Sequence, residues 1–134
     1  LVVGSKEDIL GRGLRLRKLL GGGMRQAGVL AAAGLYALDH HIKRLSEDHR
    51  NAKEFAQATL ENSNFDLEFP VETNMVWIRI KDGVKKDARA FVEEFLDKGV
   101  KVLAMSSRVL RAVFHLDISS SDVKHASRVV STIT

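Results

Sequence analysis

Residues 27–38 are apolar on every side of the helix they spell, with glycine at 28 and 34, and nothing else in the chain restricts its fold as tightly. The run is about a dozen residues long. A membrane span needs roughly 20, so the run is expected to be a buried helix of a soluble protein. Glycine inside a helix costs about 1 kcal/mol against alanine. Gly28 and Gly34, with Ala31, Ala32 and Ala33 between them, therefore point to another backbone packed closely against this helix. A chain of 134 residues holds one domain with a real core, and too little more to wrap such a helix completely. Further polypeptide or a partner is expected to cover it, and left bare it would drive association.

The flanking segments give the rest of the organisation. Residues 1–3 read as the end of a strand, and Ser5 can cap a short helix whose apolar positions are Ile9, Leu14, Leu16, Leu19 and Leu20. Gly21, Gly22 and Gly23 stop it, and the apolar helix is predicted to start near Met24. From His40 to Glu61 the pattern becomes amphipathic, with Ile42, Leu45, His49, Ala52, Ala56 and Thr59 on one face. The two helices read as a long arm kinked near Asp39, ended by Asn62, Ser63 and Asn64.

Residues 65–134 read as a compact α+β unit of order β-α-β-β-α. Its first strand is predicted over 68–80, with Val76, Ile78 and Ile80 on one face, Met75 and Trp77 on the other, and Pro70 at an edge. A helix over 85–98 turns Val84, Ala88, Phe91, Val92, Phe95 and Leu96 inward and stops at Gly99. Strands are expected over 100–104 and 109–116. Ser119 and Asp122 form a capping box for a last helix that turns Val123, Ala126, Val130 and Ile133 inward.

Charge and composition exclude several classes of function. The net charge is +4, but Arg12, Arg15, Arg17, Lys18 and Arg25 fall within 14 residues that hold no acid, and the other 16 cations face 17 acids. One small patch without interleaved aromatics suits a single anionic group better than nucleic acid. The absence of cysteine excludes disulfides, thiolate zinc sites and a cysteine nucleophile. No histidine has metal-ligand spacing to a second ligand, so no transition-metal site is predicted. The serines at 119–121 read as a cap, and Asn74 as part of a turn.

Two places could carry chemistry. Glycines 21–23 ahead of a helix let backbone approach a ligand, and the first-turn N–H groups favour an anion. An arginine at position 25 in that first turn would oppose the helix dipole by roughly 0.3–1 kcal/mol, a cost that a bound anion offsets. The alternative, a flexible link with a solvated Arg25, stands level with it. The segment is not a P-loop, since the lysine and Ser/Thr after the last glycine are absent. Secondly, Arg111 and His115 fall on one face of a strand, where the arginine can clamp a carboxylate by two hydrogen bonds. From the residues alone an edge-strand arginine paired with a surface acid, beside a structural His115, has the edge.

The segments Leu1-Val-Val-Gly-Ser-Lys-Glu7 and Arg15-Leu-Arg-Lys-Leu-Leu-Gly-Gly-Gly-Met-Arg-Gln-Ala-Gly-Val-Leu-Ala-Ala-Ala-Gly-Leu35 resemble a signature of the low-specificity L-threonine aldolases. Leu45-Ser-Glu-Asp-His49, Glu72-Thr-Asn-Met-Val76 and Arg111-Ala-Val-Phe-His-Leu-Asp117 resemble the same family. The resemblance implies an α/β parent enzyme of the aspartate-aminotransferase-like fold that uses pyridoxal 5'-phosphate. Residues 1–39 would then end its large cofactor domain, residues 40–64 form a connecting helix and residues 65–134 the small C-terminal domain. It implies retro-aldol cleavage of L-threonine or L-allo-threonine to glycine and acetaldehyde, in a cytoplasmic homotetramer with active sites at subunit interfaces. Lys18 and Arg25 match positions near the cofactor phosphate, and Arg111, rather than the nearby Arg108, matches the arginine for the substrate carboxylate. The family's Schiff-base lysine, the acid facing the pyridinium nitrogen and the histidine stacking on the ring would all lie upstream of Leu1. The chain is therefore expected to be a fragment, without a catalytic residue of its own and inactive alone. A stand-alone α+β module that binds phosphate or another anion is the competing expectation.

Overall fold

Ser5 opens the first helix as expected, its hydroxyl oxygen accepting the Asp8 N–H at 3.1 Å. The computed structural model describes residues 4–134, so the strand expected over residues 1–3 lies outside the described residues. The chain divides into two units, Leu1–Lys43 and Arg44–Thr134. In the first unit, α1 (Lys6–Asp8) passes through a π-helical turn (Ile9–Gly13) into α2 (Leu14–Leu19). The three glycines then end α2. Gly21, at φ +80°, sends its N–H to the Lys18 carbonyl at 3.2 Å, and Gly22 reaches the Arg17 carbonyl at 2.7 Å, the paired bonds that close a helix with a left-handed glycine.

The next helix, α3 (Gly28–His40), begins four residues later than the sequence suggested. Gln26 takes a left-handed φ of 50°, which a helix cannot continue through. The apolar helix does form, but no residue of α1, α2 or α3 is buried among the described residues. Val29, Leu30 and Leu35 are each more than 60% exposed. The kink expected near Asp39 is a break, since residues 41–44 form turns before the next helix.

The second unit has its own core. Helix α4 (Leu45–Glu61) buries Asp48, Asn51, Ala52, Phe55, Ala56 and Thr59. Of the face expected from the sequence, Ala52, Ala56 and Thr59 are buried, Ile42 and Leu45 are exposed, and Phe55 joins the buried stripe. Phe55 adds a large apolar ring to that stripe, and this ring meets Phe114 at 5.6 Å. At the helix end Asn62 donates to the carbonyls of Val130 and Ile133 at 2.7 and 2.8 Å, which satisfies acceptors that the last helix leaves free.

Four antiparallel strands follow, β1 (Phe65–Leu67), β2 (Met75–Ile80), β3 (Leu103–Ala104) and β4 (Val109–Val113), in the order β1-β2-β4-β3. The observed sequence of elements after α4 is thus β-β-α-β-β-α, one strand more than the β-α-β-β-α expectation. Residues 68–74 form a connection rather than the start of a strand. Pro70 has no N–H for a ladder, and the chain turns there so that Phe65 and Leu67 pair with Ile80 and Ile78. Strands β3 and β4 are also shorter than 100–104 and 109–116, because their pairing ends at Leu103 with Arg111.

Helix α5 (Ala88–Asp97) is capped by Asp87, which accepts the Ala90 N–H at 2.9 Å. It buries Ala88, Phe91 and Phe95, while Leu96, expected inward, is exposed, because a position next to Phe95 is turned about 100° away from it. Helix α6 (Ser120–Thr132) opens on the expected capping box of Ser119 and Asp122. The even-numbered side chains Val76, Ile78, Ile80, Leu110 and Ala112 join these helices in one core. The opposite sheet face carries Trp77 and Arg111, with Met75, Leu103 and Val113 partly exposed beside them.

Candidate functional site

Each unit holds one of the sequence-selected groups, so Lys18 and Arg25 lie in the first and Arg111 in the second. On α2, Arg15 and Lys18 are three residues apart and share one side of the helix. They flank a shallow groove also lined by Gly11, Leu14 and Leu19. Arg25 is not among its lining residues. It sits in the turn before α3, three residues ahead of Gly28, so the dipole argument for an anion, which required it inside the first helical turn, does not hold.

The glycine run also has a structural explanation. A β-carbon on Gly22 would lie 3.0 Å from the Arg17 carbonyl oxygen, and one on Gly23 would lie 3.3 Å from Lys18 Cγ. A side chain at either position would crowd the end of α2 or the Lys18 stem, and Gly21 supplies the left-handed residue of the stop. What remains is electrostatic. Among the described residues Arg12, Arg15, Arg17, Lys18 and Arg25 make no ion pair and no side-chain hydrogen bond. Of these cations Arg15 and Lys18 share one groove with Gly11, and an unspent guanidinium beside an unspent ammonium suits an anionic oxygen.

In the second unit the two neighbouring arginines have opposite fates. Arg108 Nη1 donates to the carbonyls of Val84 and Lys86 at 2.8 and 3.2 Å, and Nη2 to those of Ile80 and Lys81. It is consumed in holding the turn between β2 and α5. Arg111 makes no such bond: its Nε is buried and without a hydrogen-bond partner, and its guanidinium carbon stands 5.7 Å from the centre of the Trp77 ring. Arg111 and His115 both line a cavity of about 650 Å³, with Phe55 and Val123 also on its wall, although β4 ends at Val113, before His115. No carboxylate pairs with Arg111 among the described residues, against the surface-acid expectation.

The remaining polar candidates, His115 on the cavity apart, hold the fold. Asn74 Nδ2 donates to the Phe114 carbonyl at 2.7 Å, tying the ends of β2 and β4. His115 Nδ1 is 3.6 Å from an Asp117 carboxylate oxygen and open to solvent. His125 Nε2 lies 2.9 Å from the Lys98 carbonyl, and His40 stacks on Tyr36 at 4.1 Å. Two carboxyls are held below their ordinary range. Asp66 is lowered by the Leu67 N–H and then by Arg79, and Asp122 by the Ser119 hydroxyl and backbone N–H; both serve the fold. No cluster suited to a metal exists among the described residues, and no helix there is long and apolar enough to cross a membrane. Sequence reasoning missed Trp77. Its signal was a large aromatic on the strand face turned away from the core, but its partner depended on a cross-strand register that spacing alone does not give.

The family model of the beta-eliminating lyases matches residues 1–82. The chain is 41% identical over 119 residues to the low specificity L-threonine aldolase of Escherichia coli strain K12, covering 89% of this chain and 33% of that protein. It is 34% identical over 126 residues to low-specificity L-threonine aldolase 1 of Arabidopsis thaliana, covering 93% and 35%. A probable low-specificity L-threonine aldolase of Schizosaccharomyces pombe is 33% identical over 132 residues, covering 97% and 31%. The chain thus spans about a third of the length of these relatives. It belongs to the beta-eliminating lyase family, and along nearly its whole length it is similar to the low-specificity L-threonine aldolases.

Proposed function

We propose that this chain is the C-terminal third of a pyridoxal-phosphate-dependent lyase that cleaves L-threonine or L-allo-threonine to glycine and acetaldehyde. The observation that carries the proposal is the similarity of about nine-tenths of the chain to enzymes named for that activity, of which it spans a third. The parent has the aspartate-aminotransferase-like fold, with residues 1–39 closing its large domain, 40–64 connecting and 65–134 forming the small domain. It works in the cytoplasm as a homotetramer. When bound, the coenzyme supplies the electron sink for breaking the Cα–Cβ bond.

The chain's own residues bind and orient. Lys18 and Arg25 hold the coenzyme phosphate, a role supported by their freedom from protein partners and by the preference of guanidinium and ammonium groups for phosphate oxygens. Arg111 grips the substrate carboxylate, since its neighbour Arg108 is spent on four carbonyls. Two parallel N–H···O bonds from a planar fork fix both the position and the rotation of an amino acid. The lysine that bonds the coenzyme lies in the upstream part of the parent, so the 134-residue chain is inactive by itself.

The test is borohydride reduction of the parent and of the isolated chain after loading with pyridoxal phosphate, with the modified lysine mapped and threonine cleavage followed in both. One labelled lysine outside residues 1–134, with activity in the parent alone, is the expected result. Labelling of a single lysine within the isolated chain together with threonine cleavage overturns it. Phosphate binding by the isolated chain, with no lyase activity in the parent, marks a plain anion-binding module instead.

A further inference from the structure

We infer that Trp77, braced by Phe69, is the positioning residue that aims Arg111 at a carboxylate; this rests on Arg111 being the carboxylate clamp. The Ile80 N–H bonds to the Arg108 carbonyl and the Phe114 N–H to that of Asn74, each at 2.9 Å. The even positions of β2 and β4 therefore exchange the ladder hydrogen bonds, and Trp77 opposite Arg111 is a non-hydrogen-bonded pair, where side chains approach most closely. The guanidinium lies over the indole at 5.7 Å, near enough for the ring quadrupole to attract it.

The indole is itself held. Phe69 meets Trp77 edge-on, with ring centres 5.9 Å apart and planes at 80°. The Glu68 N–H bonds to the carbonyl of Trp77 at 2.9 Å, which ties the connection bearing Phe69 to the very residue it supports. A guanidinium offers its face to an aromatic ring and its edge to a carboxylate, so the two contacts do not compete. Here the guanidinium stands beside the ring, while Nε is buried and carries an N–H with no acceptor. The two Nη groups also make no hydrogen bond among the described residues, and they form the edge at which a carboxylate accepts two parallel bonds. Arg111 without the ring would sample several rotamers, and a ligand would have to select one of them.

Two measurements test this. The 134-residue chain has one tryptophan, so its emission reports the stack directly. Arg111→Met is expected to displace the emission maximum, while Lys101→Met, on the same cavity but off the ring, leaves it in place. An emission maximum unmoved by Arg111→Met overturns the stack. In the parent enzyme, Trp77→Leu is expected to raise KM for L-threonine by about 3- to 30-fold, with kcat within about twofold and most of the affinity restored in Trp77→Phe. Affinity for a β-hydroxy amine lacking the carboxylate, measured as competitive inhibition, is expected to stay the same. An unchanged KM, or equal losses for the carboxylate-free amine, overturns the positioning role. Absence of threonine cleavage by the wild-type parent sinks the lyase reading instead, and leaves the emission measurement to decide the stack.

Discussion

The two units spend their apolar residues in opposite ways. Every buried hydrophobic residue among the described ones lies at or beyond Ala52, in the second unit, while α1, α2 and α3 bury none. Helices α4 and α5 each set an apolar stripe against the sheet and α6 sets its own against α4, which is what a self-sufficient domain requires. Helix α3 is apolar all round and finds no cover within its unit. The difference teaches that one stretch of sequence can encode two kinds of instruction, one satisfied within the chain and one addressed to a neighbour.

The comparison breaks most readily in the core. Phe91→Ala is expected to destabilise the second unit by about 3–5 kcal/mol, because Phe91 is fully buried and packs on Phe65 at 4.9 Å. Leu35→Ala, on exposed α3, should move the same urea transition by less than about 0.5 kcal/mol. Equal effects of the two would erase the distinction. Asn62→Ala comes next, at about 1–3 kcal/mol, since it leaves the carbonyls of Val130 and Ile133 without the donor they share. A chemical denaturation midpoint unchanged in that variant would show that the tie between α4 and α6 is dispensable.

The smallest effect sharpens the comparison through pH. The Ser119 hydroxyl and N–H lower the pKa of Asp122, so the folded carboxyl titrates below its unfolded counterpart. Its contribution is full above the unfolded pKa and is lost as pH falls through the folded one. Wild type and Asp122→Asn should therefore differ in stability at neutral pH and converge below the ordinary carboxylate range. A difference that persists unchanged in acid contradicts the capping box as its source.

Local signals in the sequence translated well where one residue acts on its own neighbourhood. The capping box at Ser119, the stop at Gly99 (φ +78°) and the inward Val76, Ile78 and Ile80 all follow from rules within a few residues. Features set by distant partners did not. Strand β1 exists because residues 65–67 find residues 78–80 across the Pro70 turn, and the addition of Phe55 to the expected Ala52, Ala56 and Thr59 on the buried side of α4 goes with Phe114, 59 residues further on. The glycine run was visible, but its use in ending α2 depends on backbone approach that composition does not reveal. At the candidate site, the family resemblance singled out Arg111, while its unspent Nε and the Trp77 shelf needed the strand register.

Retention of the coenzyme by the parent enzyme tests the central claim most directly, because Lys18 and Arg25 have no partner in their own unit. Equilibrium dialysis of pyridoxal phosphate against wild type, Lys18→Ala and Arg25→Ala is the measurement. Each substitution is expected to weaken retention by about 10- to 100-fold, the worth of one charge-assisted hydrogen bond. Wild-type retention in both variants, or a wild-type parent that binds none, contradicts it.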